Sequence, residues 1–307
     1  MLLVSCTTIN VIPPTKPTET KIQNTEDNKL LEKAMQLSME VKEFEKTLGI
    51  EPSEALSKSS LEKPATSLFL LFLQNKGSLA YDTMKRIILQ FTKSAEEISI
   101  SYVWVPEQYS FFKRQTNEFS DNSVISIAFA KDILTAKIET FFHEDFHANI
   151  FAENEEALAT PVGFIGALKF LEAKEDKTNA DVVRKEISKF RKMSRELNEL
   201  IKNEKLKNIP REDFASVLLD LIKIYPTYFS QYGWAANLES TEAKVGHDLR
   251  YWLYFDLVCS IHDKIGDTKL FVAEIKKVPS EESKLEQFLT ELEQKYSIRN
   301  SPHPLLP

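Results

Sequence analysis

Cysteine is nearly absent from this 307-residue chain: only Cys6 and Cys259 occur. That excludes a disulfide framework and any four-cysteine metal site. Glycine is almost as scarce, with seven in all, which argues against a sandwich or barrel with many tight turns. Positive charge is in deficit, the formal net charge being -7 with a pI near 5.5. Nucleic-acid binders and polybasic membrane-surface proteins depend on the opposite sign, so no nucleic-acid partner is expected. Long apolar runs are missing too. The most apolar stretch, Leu68-Phe69-Leu70-Leu71-Phe72-Leu73, falls far short of the ~20 residues a spanning helix needs, and reads as a buried core segment.

What is present is an ordinary globular balance, 42% apolar and 28% charged, in a chain long enough to bury a real core. Helical periodicity marks residues 29–48 (Leu30, Leu31, Ala34, Met35, Leu37, Val41, Phe44), stopped at Gly49, and a second helix is expected from Leu79 to Phe91. Two patches read as strands: Ile98 to Val105, and Val124 to Phe129. From Asp132 onward the pattern is helical, with helices expected over 132–149, 155–172, 179–206, 211–224, 239–263, 268–277 and 281–295. The fold class expected is α+β and predominantly helical: a small sheet, a helix bearing the motif below, and a helical C-terminal half. The expected organisation is a tether at 1–28, an α/β half at 29–172, a helical half at 173–298 and a tail at 299–307.

The two cysteines need separate explanations. Cys259 follows Leu257-Val258, where a buried, inert thiol is expected. Cys6 follows Leu3-Val4-Ser5, which resembles a bacterial lipobox, and residues 7–28 have the Thr, Pro, Asn and Lys composition of a flexible tether. Only five residues precede Cys6, fewer than the n-region and apolar stretch of a secretory signal require. The expectation is a protein lipid-anchored through Cys6 to a bacterial cell envelope, the alternative being a cytoplasmic one.

The chemistry centres on His143-Glu144-Asp145-Phe146-His147. Residues four apart on a helix share a face, so His143 and His147 can offer imidazole nitrogens to one metal. A tetrahedral zinc site then needs a third protein ligand and an open position for water. Glu144, offset on the same helix, is placed to act on that water as general base. Apolar residues on more than one side (Ile133, Leu134, Ile138, Phe141, Phe142, Phe146) predict a buried helix, where unpaired polar groups are costly.

The third ligand is sought in Glu153-Asn154-Glu155-Glu156, where ordinary helix chemistry, with Asn154 as N-cap and acids in the first turn, is an equally good account. Glu156-x-x-Ala159 resembles the Glu-x-x-Ala pattern of the gluzincin peptidases, and the resemblance selects Glu156, with Glu155 and then Glu153 behind it. Only eight residues lie between His147 and Glu156, so the connecting turn must be tight. Across roughly 124–278 the chain is similar to bacterial sequences read as aminopeptidases, often lipoproteins, although Glu155 stands where they carry asparagine. That resemblance implies a zinc-dependent peptidase acting on peptide or protein substrates. Aminopeptidase action needs an acidic holder for a free amine; the Gly-x-Met-Glu-Asn type of motif is absent, and Glu153 or Glu155 could serve. An oxyanion donor is sought at 239–263, among His247, Arg250, Tyr251 and Tyr254, with Tyr251 and His247 preferred; an aromatic core stripe explains the same tyrosines. His262 is expected at a helix end. Ser123 to Ala130 resembles a substrate-binding edge strand. The competing reading is a non-catalytic, metal-stabilised surface lipoprotein that binds a partner.

Overall fold

The computed structural model describes residues 25–61, 68–75, 85–89, 108–115, 123–203 and 238–299, with isolated positions between 210 and 226. Cys6 and the strand expected over 98–105 lie outside them.

Helix α1 (Thr25–Thr47) buries Leu31, Ala34 and Val41 along one stripe. It stops where expected. Gly49, at φ +79°, takes the left-handed conformation, so that Ile50 N–H reaches Glu45 O at 3.0 Å and Gly49 N–H reaches Lys46 O at 3.2 Å, a Schellman ending. Three strands, β1 (Leu68–Asn75), β2 (Lys85–Leu89) and β3 (Gln108–Gln115), pair antiparallel in the order β2-β1-β3. Next come α2 (Ile127–Ala130), α3 (Leu134–His147), α4 (Glu156–Ala173) and α5 (Lys177–Lys202). Then follow α6 (Leu238–Trp252), α7 (Phe255–Ile265), α8 (Thr268–Ile275), a 3-10 turn and α9 (Leu285–Arg299). No helix among the described residues is long and apolar enough to cross a membrane.

Several expectations are corrected. Where side-chain packing is described the chain is 73% helical and holds no strand, which overturns the zincin-like α+β arrangement built on a small sheet. The motif helix α3 is embedded in other helices, chiefly α4 and α1. The segment 124–129 is not an edge strand. Ile125 makes one isolated parallel bridge to Ser59, and then the Ser126 hydroxyl accepts from Phe129 N–H at 3.1 Å and starts α2. The β-branched residues Val124, Ile125 and Ile127 favour extended backbone, but the N-cap serine between them wins locally. The helix expected over 79–91 is replaced at Lys85–Leu89 by β2, whose ladder to β1 sets Arg86 opposite Phe72.

The helix expected over 239–263 is two helices. At the break, Leu253 O accepts from Ser194 Oγ (3.1 Å) and Asn198 Nδ2 (2.6 Å), and Asp256 N–H donates to Ser194 Oγ (3.1 Å). Side chains of α5 thus satisfy backbone groups that a continuous helix would have paired internally.

One core runs from Leu31 of α1 to Tyr296 of α9, with Phe141, Phe142 and Phe146 of α3 fully buried in it. Helix α4 is its axis, buried on nearly every side from Ala157 to Ala167. Phe44 of α1 meets Phe142 and Phe170 edge-on, with ring centroids 6.4 and 5.6 Å apart, so α1, α3 and α4 interlock through aromatic edges.

Candidate metal centre

The pairing of α3 with α4 depends on two of the seven glycines. A Cβ on Gly163 would stand 3.0 Å from Glu139 O and 3.2 Å from His143 Cβ, and one on Gly166 would stand 2.4 Å from Phe142 Cδ1. With hydrogen at these positions the α4 backbone comes directly onto the face of α3 that carries His143. The tight turn between the helices is fixed from outside. Asn149 donates to Glu51 O and accepts from Glu51 N–H, both at 2.9 Å, while Glu153 N–H donates to Ser280 O at 2.9 Å.

This packing brings three donor atoms together. His143 Nε2 lies 3.1 Å from His147 Nε2 and 3.1 Å from Glu156 Oε2, and His147 Nε2 lies 3.5 Å from the same oxygen. Metal–nitrogen bonds of ~2.0–2.1 Å in tetrahedral geometry put neighbouring ligand atoms roughly 3.3 Å apart, which is the size of this triangle. Glu156 Oε2 is sealed from solvent and makes no directed hydrogen bond of its own. A buried acceptor oxygen facing two imidazole nitrogens suits a cation, and His143, His147 and Glu156 form a group that could hold a metal ion.

The electrostatics agree with that donor set. Burial disfavours charge on His147, yet its hydrogen bond to Glu155 and the neighbouring Glu156 carboxylate outweigh burial and push its pKa up to about 10. His143 is raised in the same way, against burial, by Glu156. Burial would also raise Glu156, but the two imidazoles hold its carboxyl well below the usual range. Glu144 is raised by burial, with His143 and His147 pulling the other way; it is a carboxylate kept basic beside the cluster.

The three acidic candidates separate. Glu156 converges on both histidines, Glu155 Oε2 lies 2.7 Å from His147 Nδ1, and Glu153 accepts from Glu282 N–H at 3.1 Å. Asn154 does not cap the helix: Glu155 occupies the cap position without a side-chain cap bond. Tyr251 of α6 donates through Oη to Glu156 Oε1 at 3.3 Å. His247, one turn earlier, stacks on Tyr251 with ring centroids 4.7 Å apart, and its Nδ1 lies 2.9 Å from Asp248 Oδ1. Asp248 in turn pairs with Lys244. Tyr254 belongs elsewhere, at the N-terminus of α7, with its hydroxyl pushed up to about 12 by burial and by Glu286 and Glu282. His262 does sit in the last turn of α7, but burial lowers its pKa and Nε2 pairs with Thr268 Oγ1 at 3.0 Å. Cys259 is buried, its thiol pushed up to about 12 by desolvation, and so is inert.

Sequence reasoning missed the reverse face of the motif helix. Asp145 is buried, with Lys42 Nζ 2.7 Å from Oδ1, Ser53 Oγ donating at 2.5 Å and Ser53 N–H at 3.0 Å. Beside it Glu45 is fully buried, its carboxyl pushed up to about 10 by desolvation and by Asp145. Nothing local in the sequence joins residues 42 and 53 to residue 145. Gly163 and Gly166 did leave a signal, a Gly-x-x-Gly spacing inside a helix of a glycine-poor chain.

Compared with known proteins, the chain matches no family model, no curated protein and no solved structure.

Proposed function

We propose that this protein is a zinc-dependent hydrolase acting on peptide bonds, with a gluzincin-type ligand set of His143, His147 and Glu156. The observation that carries the proposal is the triangle of Nε2, Nε2 and Oε2 atoms, of tetrahedral size, on a helix whose next residue after His143 is a carboxylate kept basic. Zinc bound there would act as a Lewis acid and lower the pKa of a water toward ~7. Glu144 takes a proton from the attacking water and returns it to the leaving amine. Tyr251, whose hydroxyl already reaches Glu156, donates to the oxygen that gains charge as the peptide carbonyl is attacked, with His247 stacked behind it to hold the ring.

The test measures bound zinc, and cleavage of an unbiased peptide library, for the wild type and for Glu144→Ala. One zinc per chain with cleavage lost in the variant is expected. Zinc uptake without Glu144-dependent cleavage overturns the enzyme and leaves a metal-stabilised binding module. We further propose a lipid anchor on Cys6 that holds the protein at a bacterial envelope; Cys6→Ala should move it from the membrane to the soluble fraction.

A further inference from the structure

We infer that Glu155 is a positioning residue, the carboxylate that fixes the ring orientation and tautomer of His147, and that the adjacent Glu155-Glu156 pair divides the work of one metal site. This rests on the metal reading proposed above.

The geometry assigns each acid separately. Glu156 Oε2 faces the Nε2 atoms of both histidines, on the side where an ion would bind. Glu155 Oε2 meets His147 on the opposite edge of the ring, at Nδ1, 2.7 Å away, a charge-assisted hydrogen-bond length. With Nδ1 donating its proton to Glu155, Nε2 is left as the lone-pair atom pointed at the metal, and an anionic acceptor makes that nitrogen a stronger donor. Among the described residues His147 is the one hydrogen-bond partner of the Glu155 side chain, which makes no cap bond although Glu155 occupies the cap position of α4. Among the described residues the second histidine has no equivalent: Glu139 Oε1 is 3.9 Å from His143 Nδ1, beyond hydrogen-bond range. One imidazole is therefore locked and the other only steered.

Zinc affinity by competition against a chromophoric chelator tests this, on the full chain and without any substrate. Glu155→Ala should bind zinc about 10–100-fold more weakly than wild type. Glu155→Gln should fall between the two, since its amide oxygen still accepts from Nδ1, and Glu156→Gln should lose more than either. The ring nitrogens of His147, followed by nitrogen-15 NMR in the zinc-loaded protein, should show a protonated Nδ1 in wild type and a faster-exchanging proton in Glu155→Ala. If wild type binds zinc and Glu155→Ala matches it within about twofold, the inference is overturned and the metal reading stands. If Glu155→Gln loses more zinc than Glu156→Gln, Glu155 is itself the ligand and the assignment is overturned. A wild type that takes up no zinc overturns both.

Discussion

Gly166 and Phe142 touch so closely that a single methyl on the glycine would stand 2.4 Å from Cδ1 of the ring. Phe142 immediately precedes His143, and Gly166 lies on the helix that delivers Glu156, so this contact sets the distance between the two halves of the candidate metal centre. Gly166→Ala should therefore destabilise the fold by about 1–3 kcal/mol through overpacking, and weaken metal binding at the same time. Urea denaturation with and without zinc measures both effects; unchanged stability and affinity would show that the helices close without this contact.

Metal binding should grow tighter as pH rises. The His147 pKa lies near 10 without metal, above its unfolded value, so its ion contacts stabilise fully below about 6.5 and are lost as pH rises toward about 10. Zinc needs the unprotonated nitrogen and must displace that proton. Calorimetry in buffers of different ionisation enthalpy should detect proton release, with affinity increasing from pH 6 to 8. A pH-independent affinity contradicts the ligand assignment.

Glu45→Gln should stabilise the protein at neutral pH. The Glu45 carboxyl titrates near 10 when folded and near 4.5 when unfolded, so the folded state retains a proton that the unfolded state gives up. Stability from this group is complete below about pH 4.5 and falls, by at most about 1.4 kcal/mol per pH unit, as pH rises toward 10. Glutamine removes that dependence. Unfolding free energies at pH 4.5 and 8.5 should converge in the variant, and a variant with the wild-type slope would refute this account.

Lys42→Met strands a buried carboxylate and should cost about 3–5 kcal/mol. Adding Asp145→Asn removes that charge, and the double variant should regain part of the loss. A thermodynamic cycle over the four proteins measures the coupling; strict additivity would show that the pair does not anchor the motif helix.

Tyr251→Phe should leave bound zinc near wild type and lower kcat about 10²–10³-fold with KM little changed, the signature of an interaction made in the transition state. A change confined to KM would assign Tyr251 to substrate binding.

Local signals wrote much of this molecule into its sequence. The helical stripe of α1 and its stop at Gly49, the His-x-x-x-His face and the helical starts near 134, 156 and 177 depend on neighbours within one or two turns. What the sequence left open depends on partners far along the chain. The strand-like run 124–129 turned helical because Ser126 capped it, and the expected helix over 239–263 broke where Ser194 and Asn198 could serve its backbone. The choice among Glu153, Glu155 and Glu156 could not be made by spacing. It was made by the packing of α4 on α3, where two glycines allow an approach that turns one carboxylate toward both Nε2 atoms, the next toward Nδ1 and the third toward the loop at 280–282. The histidine pair was a property of the helix, and the completed triangle a property of how two helices meet.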